Sequence, residues 1–424
     1  MRILHTADWH LGKTIEGRDR RPEQEQFIDE ICCICDDEAI DLVLIAGDVF
    51  QNTNPSAIAE QLFYEAIHRL AKQGTRGVVV IAGNHDNPER LCASSPLADP
   101  LGISLIGLPK DELQPYLHGL AGRVERIQCG PSWLELTVPS CDHSVVIAAL
   151  PYPSEGRLRQ LIAQTLDETE MQQGYNELIK ATMNTLATNF RSDTVNIAMS
   201  HLFVRGGIES GAESENYIQQ VGGVYAVDPL SFPANAQYIA LGHLHRPQTI
   251  GSTTAGRYAG SPLQYSFAEA GYAKSVTVVD VIPGSAAQVR EIYLSAGKPL
   301  VKWRATQGLD QIYNWLDEGK DKNAWIDAEI HMTQMLTNDE IHKLRTLHPG
   351  FVNIRLVTSL SDEPQTPPIN LACLSPEEMF GRFFERQQSG LKPEEGLVKL
   401  FLELTQEVED AEDVAEKGDL NATA

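Results

Sequence analysis

The chain has 424 residues, of which 42% are hydrophobic and 22% charged, and its formal net charge is −24. This length exceeds one compact domain, and the composition excludes a disordered or fibrous chain. No apolar run approaches the ~18 residues that span a bilayer, and the first residues do not resemble a signal peptide, so we expect neither feature. A chain with this much negative charge repels phosphate. Binding of DNA would therefore require bound metal ions, a basic patch such as Arg18, Arg20 and Arg21, or a partner subunit.

The N-terminal part of the chain alternates short apolar runs with helical patterns. Apolar runs at 2–7, 41–48 and 77–84 predict buried strands, and helical patterns at 22–38 and 56–73 separate them. This β-α-β-α-β order is typical of a parallel sheet with helices on its faces. In such sheets, functional residues lie at the carboxyl ends of the strands.

The middle of the chain contains further predicted strands. Alternating apolar and polar residues over 123–150 predict antiparallel strands, whereas 155–190 reads as a long helical insertion. Strands resume at 194–201 and 237–245, each ending in histidine, and a strand near 275–282 completes the first domain.

The C-terminal third of the chain has a different character. Residues 285–358 predict strand, helix, strand, helix and strand in order, which indicates a small α+β module. A Pro-rich segment at 361–370 predicts a linker, and two amphipathic helices are expected at 375–388 and 393–409. The acidic residues beyond them predict a disordered tail.

Short polar motifs stand at the ends of five predicted strands. They are Asp8-Trp9-His10, Gly47-Asp48, Gly83-Asn84-His85-Asp86, His201 and Gly242-His243-Leu244-His245. In an extended chain, residues i and i+2 point the same way, so each D-x-H or H-x-H pair can reach one metal cluster. A lone D-x-H or a lone histidine is common by chance, but this combination in this order is specific. Two divalent ions bridged by one carboxylate need about seven protein ligands, and the motifs supply Asp8, His10, Asp48, Asn84, His201, His243 and His245.

These motifs resemble the signature of the calcineurin-like metallophosphoesterases. The longer strings TADWHLG, AGDVF, AGNHD, LGHLH and YAGSPLQYSF resemble the SbcD family of bacterial DNA-repair nuclease subunits, strongly over 1–270 and more weakly beyond. The resemblance implies an α/β fold, a four-layer metallophosphoesterase-type β-sandwich flanked by helices, with a small α+β capping domain and C-terminal helices. The expected divisions are a nuclease domain at 1–283, a capping domain at 284–359, a linker at 360–370, partner-binding helices at 371–410 and an acidic tail at 411–424.

The resemblance also implies how the metal ligands divide between two ions. It puts one ion on Asp8, His10, Asp48 and His245. It puts the second on Asp48, Asn84, His201 and His243, so that Asp48 bridges the pair. Carboxylate, amide and imidazole donors without a thiolate suit Mn²⁺, although they do not exclude iron or zinc. A water shared by such ions, with its pKa lowered, would attack the scissile phosphorus in line.

Three further residues near the motifs have expected roles. His85 has no ligand role in this scheme and suits a group that contacts the phosphate or protonates the leaving oxygen. Asp86 could orient that imidazole, or it could simply form a turn or a helix cap. Some relatives carry a histidine where Gln51 stands, and because glutamine cannot transfer protons we predict no catalytic role for it.

The family resemblance implies both an activity and partners. The activity is metal-dependent cleavage of DNA, as a double-strand 3′–5′ exonuclease and a single-strand endonuclease, in DNA repair, recombination and replication. The implied partner is an SMC-like ATPase of the SbcC type, bound through the C-terminal helices, with a homodimer inside a heterotetramer. Those helices could instead pack on the chain's own core, but the Pro-rich linker favours docking on a partner.

Two other functions compete with the nuclease. A phosphodiesterase of the same fold could act on a nucleotide or another small molecule, because the metal chemistry is shared. The extra module and the detached helices favour the nuclease, since a small-molecule enzyme needs neither. A non-catalytic scaffold is a third reading, and the complete ligand set speaks against it.

The remaining features are less specific. The seven cysteines have no paired spacing, and the cluster Cys32, Cys33 and Cys35 lies in a helical pattern in which adjacent residues face different directions. Free thiols and a reducing cytoplasm are therefore expected rather than a metal site. Ser261 and Pro262 predict a tight turn. The clearest basic residues of the small module are Lys298, Lys302 and Arg304, and a solvated face is their simplest explanation.

Overall fold

In a computed structural model of the chain, the described residues are 1–117, 119, 121–153, 168–211, 226–332, 336–357, 380, 396–399 and 401, with backbone alone for 168–173. The chain divides into one compact unit at Met1–Thr358 and a second at Ser359–Ala424. In the second unit, the rings of Phe380 and Phe401 stack with centroids 4.3 Å apart. The predicted linker and tail, and most of the two predicted C-terminal helices, lie outside the described residues. Within the described ranges, no helix has the length and apolar character needed to cross a membrane.

The first unit is built from strands and helices that follow the predicted order closely. The strands are β1 (Arg2–Thr6), β2 (Leu42–Ala46), β3 (Gly77–Ile81), β4 (Ile103–Ile106), β5 (Glu125–Gly130), β6 (Trp133–Thr137), β7 (Ser144–Leu150), β8 (Val195–His201), β9 (Tyr238–Gly242), β10 (Gln248–Thr249), β11 (Gly256–Tyr258), β12 (Ser275–Asp280), β13 (Gln288–Tyr293), β14 (Leu300–Ala305), β15 (Trp325–His331) and β16 (Phe351–Val357). The α-helices are α1 (Arg21–Asp37), α2 (Ala57–Leu70), α3 (Pro88–Cys92), α4 (Ser95–Ala98), α5 (Glu168–Leu186), α6 (Leu309–Asp317) and α7 (Asn338–Leu347).

Two large sheets carry most of these strands. The first has the order β13-β12-β1-β2-β3-β4, and β1 to β4 are parallel, as the alternation of strands and helices predicts. The second has the order β10-β11-β9-β8-β7-β6-β5, with β5, β6 and β7 antiparallel and β7, β8 and β9 parallel. The polar motifs thus all lie at the ends of strands in the parallel parts of the two sheets, namely β1, β2, β3, β8 and β9.

Apolar side chains fill three layers. On β1, Leu4 clusters with Phe27 of α1 and Phe63 of α2, on the helix-covered face of the first sheet. Its neighbour Ile3 belongs to the layer shared with the second sheet, because successive strand residues point to opposite faces. A third layer packs the other face of the second sheet against Ile179 and Met183 of α5. Helices, sheet, sheet and helix therefore stack as the predicted four-layer sandwich.

The small module contains a three-stranded parallel sheet, β14-β15-β16, with α6 and α7. One sequence expectation for this region was wrong, and one strand was not predicted. The run at 288–293 was assigned to the module, but it is β13, and it pairs antiparallel with β12 as the edge of the first sheet. The run at 300–305 was noted only for its basic residues, but it forms β14, whose buried positions include Trp303. The connection between β12 and β13 is short, so the two strands form a hairpin, and this explains why β13 joins the first sheet.

The module is attached to the first sheet's side of the molecule by specific contacts. The indole of Trp325 donates to the Glu23 carboxylate of α1 at 2.8 Å. Arg18 donates to the carbonyl of Phe351 at 2.8 Å. Ile15 joins Trp325 in a small apolar cluster between the two parts. These contacts hold β15 and β16 beside the loop that follows Asp8 and His10.

Candidate metal centre

The polar motifs meet where the carboxyl ends of the two sheets adjoin. Asp8 and His10 follow β1, Asp48 follows β2, and Asn84 follows β3. His201 is the last residue of β8, while His243 and His245 follow β9. All of these side chains are buried apart from Asn84, which is half-buried. The structure thus brings together all seven residues that the sequence singled out as ligands.

Asp48 stands at the centre of this group. Its Oδ2 lies 3.6 Å from Nε2 of His10 and 3.4 Å from Nε2 of His201. Its Oδ1 accepts a hydrogen bond from the backbone N–H of His85 at 2.9 Å. One carboxylate oxygen therefore faces both halves of the cluster, as a bridging ligand must.

The first half of the cluster contains Asp8, His10 and His245. Their donor atoms all lie within 4.8 Å of one another. Nε2 of His10 and Nε2 of His245 are only 3.0 Å apart, a separation that needs a proton or a cation between two nitrogen lone pairs. Oδ1 of Asp8 accepts from the backbone N–H of His243 at 2.9 Å, which ties the loops after β1 and β9 together.

The second half is organised around Asn84. Its Oδ1 lies 3.0 Å from Nε2 of His201 and 3.1 Å from Nδ1 of His243. Nδ1 of His201 donates to the carbonyl of Ala46 at 2.8 Å, and this bond places the proton on Nδ1 and presents Nε2 to the cluster. The same geometry is typical of a histidine that binds a metal through Nε2.

Several buried polar atoms at this site lack a hydrogen-bond partner in the described part of the chain. They are Oδ2 of Asp8, Nδ1 of His10 and Nε2 of His243. An unpartnered buried polar atom is costly, so groups of this kind call for a ligand. Oxygen and imidazole donors that converge in a buried cluster fit divalent cations, and we conclude that the residues present suit a metal pair.

The backbone that carries the ligands is unusual. Asp8, His10 and Asp48 have φ values of 54°, 44° and 50°, and His243 has a φ of 103°. Residues other than glycine adopt positive φ rarely, and such conformations cluster at functional sites, where the surrounding structure maintains them. The strain here directs four ligand side chains into one small volume.

Glycines precede the ligands because there is no space for a side chain. A Cβ atom at Gly83 would lie 2.1 Å from Oδ1 of Asp48. A Cβ atom at Gly47, where φ is +87°, would lie 2.3 Å from Nδ1 of His201. The glycine in the G-D and G-N pairs of the sequence is therefore a packing requirement of the metal centre.

Burial and mutual interaction set the charges of these side chains. Burial opposes ionisation of Asp48, but the neighbouring His201 and His85 hold its pKa well below the usual value. Burial likewise opposes protonation of His201, yet the Asp48 carboxylate raises the pKa of His201 to about 9. Burial lowers the pKa of His243 to about 3. The protein thus concentrates negative charge at Asp48, where a divalent cation would compete with the proton on His201.

Comparison with known proteins agrees with this geometry. Residues 1–247 match the family of calcineurin-like phosphoesterases, and residues 297–388 match a family described as the type 5 capsule protein repressor C-terminal domain. The SbcD subunit of the SbcCD nuclease from Bacillus subtilis is 49% identical over 411 residues, covering 97% of this chain and 99% of that protein. The chain belongs to the SbcD family of calcineurin-like phosphoesterases.

More distant proteins extend the comparison. The SbcD subunit of the SbcCD nuclease from Escherichia coli K12 is 28% identical and covers 95% of this chain and 97% of its own length. Among solved structures, a dimetal phosphatase from Danio rerio is 12% identical over 68% of this chain and 98% of that chain, with a TM-score of 0.33. The match of residues 1–247 to the calcineurin-like phosphoesterases and the 49% identity to the Bacillus subtilis protein confirm the family resemblance and the fold expected from the sequence.

Asp86 is linked to the backbone of two ligand-bearing loops. Its carboxylate accepts from the N–H groups of Gly83 at 2.8 Å, Val49 at 3.1 Å and Phe50 at 2.9 Å. The sequence left two interpretations of Asp86, as a group that orients the His85 imidazole or as a turn residue. These bonds to backbone N–H groups support the turn. By joining the loops after β2 and β3, Asp86 fixes the spacing of the ligands on them.

The His85 imidazole is oriented by a backbone carbonyl. Its Nδ1 lies 2.7 Å from the carbonyl oxygen of Gln51, which accepts the Nδ1 proton. The His85 ring is 4.9 Å from the His10 ring, so it borders the first half of the metal centre. Gln51 therefore acts through its main chain, a role that the identity of its side chain does not reveal.

The basic residues near the site differ from those that the sequence drew attention to. Lys298 lies over the Trp325 ring, 4.5 Å from the centroid, and Arg304 pairs with Glu329 at 3.0 Å. A cleft of about 520 Å³ between the phosphoesterase part and the small module is instead lined by Lys13, Arg345 and Arg355, among other residues. The same cleft reaches Tyr265, whose ring is 5.5 Å from that of His10.

Proposed function

We propose that this chain is the nuclease subunit of an ATP-regulated DNA-repair complex and hydrolyses phosphodiester bonds with two divalent ions. The observation that carries the proposal is the position of Asp48, with one oxygen facing His10 on one side and His201 on the other. The 49% identity to the SbcD subunit of the SbcCD nuclease from Bacillus subtilis supports DNA as the substrate. The activities proposed are those of a double-strand 3′–5′ exonuclease and a single-strand endonuclease, in repair, recombination and replication.

The proposed ligands are assigned to two ions according to the two halves of the cluster. Asp8, His10 and His245 hold one ion, Asn84, His201 and His243 hold the other, and Asp48 is shared. When bound, such ions supply a water of lowered pKa and stabilise charge on the phosphate oxygens. The absence of thiolate ligands in this set favours Mn²⁺, the metal we propose.

His85 is the proposed proton donor. Because the Gln51 carbonyl accepts the Nδ1 proton, Nε2 is the atom through which the ring would protonate the leaving oxygen or bind the phosphate. Asp86 is proposed as a positioning residue, since its carboxylate joins the loops that carry Asp48 and Asn84.

DNA is proposed to approach along the cleft lined by Lys13, Arg345 and Arg355. Lys13 and Arg345 offer local positive charge on a chain whose formal net charge is −24, whereas Arg355 is paired with Asp327 at 2.6 Å. Phosphate contacts from Lys and Arg dominate the affinity of proteins for DNA, and a local patch suffices for them. The cleft borders the small module formed by β14 to β16, which supports the proposed role of this module as a capping domain.

The first experiment measures cleavage of end-labelled duplex DNA with Mn²⁺, with a small chromogenic phosphodiester assayed in parallel. We expect the duplex to shorten in a Mn²⁺-dependent manner, and we expect Asp48→Ala to remove this activity. Turnover of the small diester while DNA stays intact, both alone and with the ATPase partner, would favour the small-molecule alternative. Membership of the SbcD family favours the nuclease over a small-molecule phosphodiesterase.

A cytoplasmic location is proposed from the state of the cysteines. Cys32 and Cys35 are buried on α1, Cys33 is exposed, and each of the six described cysteines is a free thiol. Free thiols in this number are typical of a reducing compartment, which is where a DNA-repair enzyme acts.

A homodimer is proposed to form through α2 and α4. Leu97 is 79% exposed, Ile58 is 55% exposed and Tyr64 is 37% exposed, so large apolar side chains face solvent on neighbouring elements. Tyr64 and Leu97 also line an apolar groove of about 460 Å³. An apolar patch of this kind on a soluble domain marks an interaction surface, and a second copy of this chain is the occupant that the family suggests.

Leu97→Asp should therefore convert the dimer to a monomer, because it introduces a charge into the apolar contact. The measurement is size-exclusion chromatography with light scattering on the full chain. Leu230→Asp is the matched control, since Leu230 is 66% exposed but lies outside this groove. A dimer that persists in Leu97→Asp, with both variants folded, would contradict the assignment.

The C-terminal helices are proposed to bind an SMC-like ATPase of the SbcC type, giving a heterotetramer. The division of the chain into two compact units, with Ser359–Ala424 as the second, supports an attachment of this kind. The stacked rings of Phe380 and Phe401 lie on the apolar stripes that the sequence predicts for the two helices.

A further inference from the structure

A buried carboxylate that the sequence motifs do not include lies behind one of the proposed metal ligands. Glu269 is 0% exposed, and its Oε1 lies 3.5 Å from Nδ1 of His245, at the long end of a hydrogen bond. The same oxygen accepts from the backbone N–H groups of Tyr265 at 3.0 Å and Ser266 at 3.2 Å. The carboxylate is therefore held in place independently of the histidine.

A buried ammonium group completes this arrangement. Lys274 is 6% exposed, and its Nζ donates to Oε2 of Glu269. Nζ also donates to the main-chain carbonyl of His245 at 2.8 Å and to Oγ of Ser261 at 2.8 Å. Ser261 in turn donates to the carbonyl of Leu263 at 2.8 Å, as expected for a turn residue. Lys274 thus holds both the carboxylate and the backbone of the ligand.

The buried ion pair between Glu269 and Lys274 is not explained by stability alone. Burying two charges away from water opposes folding, and apolar side chains in place of a buried ion pair are often at least as stable. The two charged groups are hydrogen-bonded to each other, so the Glu269 carboxylate has its counter-charge beside it. An anion beside Nδ1 stabilises the tautomer with the proton on Nδ1 and leaves the Nε2 lone pair for a metal. That Nε2 atom is the one 3.0 Å from His10.

We propose that Glu269 and Lys274 are positioning residues that hold His245 with Nε2 directed at the first metal ion. The inference rests on the proposed ligand set and extends it to two residues beyond the motifs. It predicts an asymmetric effect, because no hydrogen bond among the described residues joins the pair to Asn84, His201 or His243. Loss of the carboxylate should weaken one ion and leave the other in place.

The test is Mn²⁺ binding to the full chain, measured through the electron paramagnetic resonance of free Mn²⁺ during titration. The wild type should bind two ions, and Glu269→Gln should weaken one of them by about 10- to 100-fold. Glu135→Gln is the matched control. Its carboxylate is 1% exposed and pairs with Arg191 at 2.6 Å, and neither residue is a proposed ligand. The control should keep both ions.

The outcomes separate this inference from the proposed function. Two ions in the wild type and two of unchanged affinity in Glu269→Gln would overturn the positioning role while the ligand set stands. A wild type that binds no Mn²⁺ would overturn the ligand set, and the positioning role with it. Equal weakening in Glu135→Gln would show a general loss of stability and would also overturn the inference.

A second measurement observes His245 directly in the wild-type protein. In wild-type protein with ¹⁵N-labelled histidine and no added metal, the ring correlations of His245 should report the Nδ1–H tautomer. Comparison with His245→Gln assigns the signal. An Nε2–H tautomer at His245 would show that Glu269 does not direct the ring, and would overturn the proposal.

Discussion

Asp48→Ala should abolish metal-dependent cleavage and weaken both metal sites at once. The reason is the position of the side chain, since Oδ2 lies 3.6 Å from Nε2 of His10 and 3.4 Å from Nε2 of His201. Removing a shared ligand affects two ions, whereas removing any single histidine ligand affects one. The measurement is the number of Mn²⁺ ions retained after equilibrium dialysis, with cleavage of duplex DNA assayed on the same samples.

His85→Ala provides the contrast. As a proton donor rather than a ligand, His85 should be dispensable for binding, so both ions should remain while cleavage falls by about 10²- to 10⁴-fold. His342→Ala, an exposed histidine on α7, is the control for the loss of an imidazole. Because donor atoms of His85, His10 and Asp48 lie within 4.8 Å of one another, loss of an ion in His85→Ala would make His85 a ligand instead.

Deletion of residues 371–424 should separate cleavage from partner binding. The first compact unit ends at Thr358, so its metal centre should stay intact, and turnover of a small phosphodiester with Mn²⁺ should be unchanged. Binding of the ATPase should be lost, because the deletion removes the two predicted amphipathic helices and the apolar stripes expected on them. Co-purification of the two subunits, followed by light scattering, measures this loss.

A point variant refines the same experiment. Phe401→Ser removes one ring of the stacked pair with Phe380 and should weaken the complex without shortening the chain. Lys399→Ser, an exposed residue two positions away, is its matched control. An ATPase complex of unchanged affinity after the deletion would place the docking surface on the first unit.

Much of this protein follows from its sequence alone. Short apolar runs that alternate with helical patterns predicted the parallel strands and helices of the first sheet, because burial on both faces of a strand leaves near-continuous apolar runs such as 42–46. Since parallel strands end at one edge, polar motifs after successive strands must meet there. All seven proposed ligands were therefore identifiable before the structure was known, and the structure brings them together.

Features that depend on contacts distant in sequence were decided only by the tertiary structure. The capping-box pattern from Ser266 to Glu269 is visible in the sequence, but nothing local indicates that this carboxylate lies beside His245. The main-chain role of Gln51 was equally hidden, because a carbonyl group is the same in every residue.

The pairing of β13 shows the same limit for the fold. Its residues, Gln288–Tyr293, alternate as expected for a strand, but the sequence does not indicate which strand they pair with. Only the free edge beside β12 decides that they extend the first sheet rather than the small module. Local pattern predicted most of the strands and helices and all seven proposed metal ligands. Packing between remote segments determined which neighbours orient those residues, because burial and hydrogen bonding depend on three-dimensional proximity.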